Sequence, residues 1–224
     1  MGKVFFVTGT DTGVGKTLIS ACLCKGLKNL GKTCFYLKPI QTGSPPGTPE
    51  DPLFVLRILN EKENPLRHVI YNFKLPASPH LAARVEGKRI DVKQLKDEIK
   101  SFFNKYEVLV IEGAGGVMVP ITEDYLTIDL IKDLEVPVIL VSRTKLGTLN
   151  HTLLTVEALK RREIPIVGLI FNFASQHLTI VERDNIEILE KLTGIQTIGI
   201  VPEVIDIKLE FDKLVNSIEL RRML

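Results

Sequence analysis

The chain has 224 residues, 45% of them hydrophobic and 25% charged, with a formal net charge of +2. That is an ordinary globular composition, long enough for a substantial core and too balanced in charge for a general pull toward nucleic acid or anionic membrane. No apolar run approaches the ~20 residues of a membrane span, and the apolar stretch at residues 4–7 is too short for a signal-peptide core, so the expected location is the cytoplasm.

Residues 4–8 are the first expected strand. They run into Thr8-Gly9-Thr10-Asp11-Thr12-Gly13-Val14-Gly15-Lys16-Thr17, and a helical pattern follows over 16–30. Strand, glycine-rich turn and helix in that order form a phosphate loop. Its glycines let backbone N–H groups converge on phosphate oxygens at a helix N-terminus. In that reading Lys16 reaches the β- and γ-phosphates and the Thr17 hydroxyl holds Mg²⁺. The common spacing would put glycine at position 10, where Thr10 stands; Gly9 lies one residue earlier. A loop lengthened in this way is shared with partition and nitrogenase-iron ATPases. Many of those carry a second lysine five residues before the GKT lysine, and here that position is Asp11. The difference argues against a dimerising switch ATPase and for a small-molecule enzyme.

Further strands are expected at 33–38, 108–112, 136–142, 166–171 and 197–201, and further helices at 91–104, 126–134, 149–162 and 180–192. The strands are continuously apolar without a period of two, as strands covered on both faces are. On the helix 149–162, Leu149, Leu153, Val156 and Leu159 make one apolar stripe. Alternation of the two element types gives a single α/β domain, a doubly wound and mostly parallel sheet with helices on both faces and ligands beyond the carboxyl ends of the strands. The segment 43–52, with four prolines and two glycines, is the most loop-like stretch.

Two strand ends carry chemistry. Lys38 ends the second strand, before Pro39-Ile40-Gln41-Thr42-Gly43, and would set a second cation at a transferring phosphate. Read alone, it is equally a surface lysine before a proline turn. Glu112 ends the strand 108–112 and precedes Gly113-Ala114-Gly115-Gly116. A carboxylate closing a buried strand is costly unless paired or cation-bound, and in phosphate-loop enzymes it helps to hold Mg²⁺. Cys22, Cys24 and Cys34, odd in number and without a C-x-x-C pair, read as buried reduced thiols. The four histidines, His68, His80, His151 and His177, are isolated in sequence and suggest no ligand set.

The blocks VTGTDTGVGKT, KPIQTG, SPHLAA, IEGAGGVMVPI and KLGTLNH, spread over nearly the whole chain, resemble dethiobiotin synthetase. The resemblance implies ATP-dependent carboxylation and ring closure of 7,8-diaminopelargonate with CO₂ to dethiobiotin, ADP and phosphate, with Mg²⁺. The implied course runs through a carbamate and a carbamic–phosphoric anhydride. By position, Gly13, Val14, Gly15, Lys16, Thr17 and Leu18 would wrap the triphosphate, and Gly113, Ala114 and Gly115 would lie near it. Lys38 matches the catalytic lysine, beside Lys16. Thr17, Asp51 and Glu112 are the implied metal ligands, with Glu50 adjoining Asp51. Asn172 would read adenine, with Phe173, Pro202, Glu203 and Val204 around the base. Thr12 and Thr42 would meet the substrate's reacting end. Gly147 and Asn150, at a helix start on a homodimer interface, would hold its carboxylate tail. Gly13 stands where some relatives carry glutamate, and Asn185 where some carry a tail-contacting tyrosine.

Two other readings compete. A partition-type switch ATPase would be expected to carry the lysine missing at position 11. The ATP-binding half of a cobyrinate-type amidotransferase would need a glutaminase domain with a nucleophilic cysteine, for which this length leaves no room.

Overall fold

A computed structural model describes residues 2–223, apart from the side chain of Arg222. Seven strands, β1 (Lys3–Gly9), β2 (Cys34–Gln41), β3 (Val69–Asn72), β4 (Val108–Gly116), β5 (Val138–Arg143), β6 (Ile166–Ala174) and β7 (Thr197–Pro202), form one sheet in the order 3-2-4-1-5-6-7. Every pairing is parallel. Parallel neighbours cannot be joined by hairpins, so each connection must cross a face of the sheet. The helices that make or flank those crossings are α1 (Lys16–Asn29), α2 (Glu50–Leu59), α3 (Pro79–Val85), α4 (Val92–Lys100), α5 (Thr127–Leu134), α6 (Thr148–Arg161), α7 (Ile180–Thr193) and α8 (Ile207–Asn216).

Alternation along the central strands sends side chains to two separate cores. Phe6, Leu37, Leu109, Ile111 and Leu140 pack against α4, α5, α6 and α7 on one face. Phe5, Val7, Tyr36, Val110 and Val141 pack against α1 and α8 on the other. Both faces are dry, which explains the unbroken apolar runs of β1, β4 and β5. Cys22, Cys24 and Cys34 are free, buried thiols in the α1 core. Among the described residues no helix is long and apolar enough to cross a membrane.

The six expected strands and five expected helices are present with shifted ends, and one further strand and three further α-helices escape the sequence reading, besides two short 3₁₀ turns, Pro65–His68 and Leu220–Met223. β3 is a short edge strand of half-buried residues, VIYN, with no apolar run to mark it. α2 begins inside the proline-rich stretch, so Glu50, Asp51 and Pro52 are helical rather than loop. Proline is tolerated in a first turn, whose N–H groups have no intrahelical partner, and Glu50 and Asp51 suit the positive end of the dipole. α3 is short and opens on Pro79 after Ser78. α8 is capped by Asp206, which accepts from Lys208 and Leu209, and buries Phe211, Leu214 and Val215 at helical spacing. The expected helix 91–104 stops at Lys100, and Asn104 has a positive φ of 65°.

One buried carboxylate ties the ends of β5 and β6 to α7. Glu182, 3% exposed, accepts from Thr144 Oγ1 at 2.7 Å, Ser175 N at 3.0 Å, and Thr179 N and Oγ1 at 3.0 Å. Burial alone would raise its pKa; the donors, Thr144 first, pull it down to about 2. A carboxyl group with a lower pKa folded than unfolded stabilises the fold above its unfolded value, and the contribution disappears as pH falls toward the folded one. Glu182→Gln should therefore lose about 1–3 kcal/mol at neutral pH. Thermal unfolding of both proteins from pH 7 to pH 3 should show the gap narrowing below about pH 4.5; a gap that holds constant would show that the charge of Glu182 contributes nothing.

Candidate active site

The loop from Thr10 to Gly15 leaves β1 at the centre of the sheet and enters α1. Gly13 and Gly15 have φ of 73° and 89°, a left-handed conformation that glycine adopts without a Cβ penalty. A Cβ built on Gly15 would lie 2.0 Å from Asn172 Nδ2 and 3.2 Å from the Phe173 ring. No side chain caps α1, and its first turn holds no acid, so its leading N–H groups and dipole face the loop unopposed. Together these features form an anion cradle.

Lys16 lies in that cradle, 6% exposed, with Nζ donating to Asp11 O at 3.0 Å. Burial, and then the neighbouring Lys38 ammonium, lower its pKa to about 8, against the opposing pull of Glu112, Asp51 and Asp11. An anion arriving at the loop would relieve both penalties.

Beside the loop, two elements converge on Glu112, which is 1% exposed. From α1, Thr17 Oγ1 donates to Glu112 Oε1 at 2.9 Å. From β2, Lys38 Nζ donates to the same oxygen at 2.7 Å, and Tyr36 OH donates to Oε2 at 2.8 Å. Lys38 also lies 2.7 Å from Asp51 Oδ2 on α2 and 3.3 Å from Gly113 O. Desolvation opposes the charge on Lys38, but Glu112 and Asp51 outweigh it and carry its pKa above the ordinary lysine value. Lys38 is thus held charged, while Lys16, with its pKa lowered to about 8, remains mostly a cation at neutral pH but gives up its proton more easily than an ordinary lysine.

These groups open on a cleft of about 670 Å³. Thr12, Gly13, Gly15, Lys16, Thr17, Lys38, Thr42, Asp51, Glu112, Ala114 and Gly115 line it, so most of the residues picked out in the sequence meet in one place. Glu50 also faces the cleft, but the carboxylate that pairs with Lys38 belongs to Asp51. Gln41 orients Asp51 by accepting from its N–H at 3.3 Å.

The remaining candidates lie elsewhere. Val14 and Leu18 are buried behind the loop. Asn172 is wholly buried; its Nδ2 donates to Val14 O at 3.0 Å, and among the described residues its Oδ1 has no partner. Phe173 adopts a φ of 57°. Pro202 ends β7, and Glu203 N donates to Ala174 O at 2.8 Å, which fixes the turn running on to Val204 beside the end of β6. Gly147, with φ 95°, caps α6, and Asn150 lies in the first turn of that helix, away from the cleft. Asn185 is buried on α7 and donates to Thr144 O at 2.8 Å, a bond internal to the fold.

Two residues escape the sequence reading. Tyr36 precedes Lys38 by two on a strand, so the period of two already puts both on one face. Arg143 ends β5; its Nη2 donates to Gly13 O at 2.6 Å and its guanidinium lies 5.6 Å from the centre of the Phe173 ring. No local pattern marks it.

An all-oxygen set of Thr17, Asp51 and Glu112 suits a hard cation such as Mg²⁺, which commonly takes one or two carboxylates and completes its shell with substrate phosphates and water. Among the described residues no group of three or more His, Cys, Asp or Glu is placed to hold a metal by itself.

Known proteins resemble this chain in sequence and in fold. The family model described as AAA domain matches residues 3–210. The ATP-dependent dethiobiotin synthetase BioD of Methanocaldococcus jannaschii is 41% identical, over 95% of this chain and 100% of the relative. The Bacillus subtilis protein of the same name is 36% identical, over 92% and 90%. Among solved structures, a MinC:MinD cell division complex of Aquifex aeolicus gives a TM-score of 0.61 at 15% identity, covering 99% of this chain and 94% of the other. A putative plasmid partition protein of Borrelia burgdorferi bound to AMPPNP gives 0.61 at 13%, over 100% and 97%. Those two likenesses establish a shared phosphate-loop fold. The sequence relationship is closer and covers 100% and 90% of those two relatives: the chain belongs to the ATP-dependent dethiobiotin synthetase family.

Proposed function

We propose that the cleft joins CO₂ to 7,8-diaminopelargonate at the expense of ATP and closes the cyclic urea of dethiobiotin. The observation that carries this reading is the Lys38 ammonium, fixed beside the phosphate loop between Glu112 and Asp51. A hydrolytic switch needs a positioned water; transfer of a phosphoryl group to a carbamate oxygen is helped by a second cation where the two anions meet.

One amine of the substrate attacks CO₂ and loses a proton, giving a carbamate. Thr42, with Thr12 across the cleft, would orient this end. A carbamate oxygen then attacks the γ-phosphorus and ADP leaves. Lys38, released from the carboxylates it now neutralises, would bridge the carbamate and the transferring phosphoryl group, while Lys16 holds the β- and γ-oxygens. The second amine attacks the carbamoyl carbon and loses its proton, and phosphate departs from the mixed anhydride. Gly13, Val14, Gly15, Thr17 and Leu18 would wrap the phosphates through backbone N–H groups, with Gly113, Ala114 and Gly115 across from them. Thr17, Asp51 and Glu112 would hold Mg²⁺, which when bound supplies charge neutralisation at the phosphates.

Asn172 would read adenine. Its unpaired Oδ1 is an acceptor suited to the exocyclic amine, and the base must open the packing around Asn172 to reach it. Phe173, Pro202, Glu203 and Val204 would flank the ring. Gly147 and Asn150 would receive the carboxylate tail at the start of α6, across a homodimer interface. A groove beside α6, where the exposed Met118 and Leu154 lie with Glu157, Arg161 and Arg162, supports such an interface. The substrates are small metabolites, consistent with work in the cytoplasm.

Purified protein given MgATP, bicarbonate and the diamine should form dethiobiotin and ADP together, with neither accumulating when the diamine is omitted. ADP without dethiobiotin would sink this reading and favour a switch ATPase. Lys38→Ala should lower kcat by about 10²–10³ with the fold retained, as loss of one electrostatic stabiliser does; turnover within a few-fold of wild type would remove Lys38 from the chemistry. Gly15→Ala, whose methyl collides with Asn172, should lose at least about tenfold in ADP affinity by calorimetry.

A further inference from the structure

Glu112 has two oxygens with different partners. Oε1 faces the cleft and takes Thr17 at 2.9 Å and Lys38 at 2.7 Å. Oε2 faces inward and takes the phenol of Tyr36 at 2.8 Å. Tyr36 is 2% exposed and does not line the cleft, so it touches neither nucleotide nor substrate there. We propose that Tyr36 is a positioning residue for the reaction: its hydroxyl anchors the inner oxygen of Glu112 and so aims the outer one at the nucleotide-bound cation.

The register of the sheet imposes this contact. β2 lies beside β4 with Tyr36 opposite Val110 and Leu37 opposite Ile111, which brings Lys38 level with Glu112 and puts the phenol two residues below it on the same face. The backbone of Tyr36 is itself fixed. Its carbonyl accepts from His68 Nδ1 at 2.7 Å, and the imidazole stacks on Phe35 with ring centres 4.4 Å apart. In a low-dielectric site a carboxylate needs a donor on each oxygen, and a swing of its plane would take Oε1 away from Thr17 and the phosphate loop. Donors to the remote atom of a metal ligand fix its orientation and basicity, and removing one typically weakens metal binding by about 10–100-fold.

The inference rests on Glu112 holding the cation, and one titration separates the two ideas. Manganese(II) is added to the ADP-loaded protein and its binding followed by electron paramagnetic resonance, in wild type and Tyr36→Phe, with thermal unfolding alongside. Wild type should bind the metal, and the folded variant should bind it at least about tenfold more weakly. In turnover assays the variant should need correspondingly more Mg²⁺ to reach half of its maximal rate, because weaker metal binding to the nucleotide complex is, by linkage, weaker binding of the metal–nucleotide pair. Equal metal binding by the two folded proteins overturns the role of Tyr36 and leaves the metal reading intact. A wild-type protein that binds no manganese with ADP overturns both. If Tyr36→Phe does not fold, the unmodified protein decides: the buried Tyr36 hydroxyl proton, assigned through labelled tyrosine in proton NMR, should shift when Mg·ADP is added. A resonance that stays in place overturns the inference.

Discussion

The burial of the Glu112 carboxylate governs the architecture of the cleft. A bare charge in a dry interior is costly, and it persists only where donors meet both oxygens. Here the donors come from two separate elements, Thr17 on α1 and the pair Tyr36 and Lys38 on β2, while Asp51 on α2 shares the Lys38 ammonium. The strand order makes this possible. β4 sits between β2 and β1, so the residues that end β2 and those that begin α1 must approach its carboxyl end. Moving any one of these elements would strand a charge, which makes the cluster a clamp on the relative position of β2, β4, α1 and α2.

The phosphate loop depends on a second set of supports. Two glycines with positive φ shape it, Asn172 holds the Val14 carbonyl from below, and Arg143 holds the Gly13 carbonyl from β5. A loop whose carbonyls are occupied in this way keeps its N–H groups turned toward an incoming anion, the preorganisation that electrostatic catalysis requires. The two supports also divide the cations. Lys38 is held charged by two carboxylates, whereas Lys16, buried beside Lys38, has a pKa near 8 and gains most from a phosphate.

Much of this was legible in the sequence because its signals are local. Continuous apolarity marked β1, β4 and β5, the glycine spacing marked the loop, and Lys38 and Glu112 stood out as charges closing buried strands. What was missed depends on tertiary context. β3 is an edge strand of half-buried residues, held by pairing with β2 rather than by a hydrophobic face. α2 hides in a proline-rich stretch because a first turn tolerates what a helix interior cannot. Asn172 and Arg143 reach the loop from 158 and 130 residues away, a convergence that only the folded sheet reveals. Asn185 shows the opposite case: a position of interest by resemblance proves to be a buried donor to the Thr144 carbonyl.

We propose that one cleft makes the substrate's carbamate the nucleophile toward the γ-phosphate, with Lys38 bridging the two. Oxygen labelling tests it most directly. Turnover in the presence of C¹⁸O₂, measured before exchange with water, should release inorganic phosphate carrying one ¹⁸O atom from the carbamate and leave one ¹⁸O in the urea carbonyl of the product. Unlabelled phosphate formed alongside labelled dethiobiotin would mean that the carbamate never bonded to phosphorus, and would rule out this route.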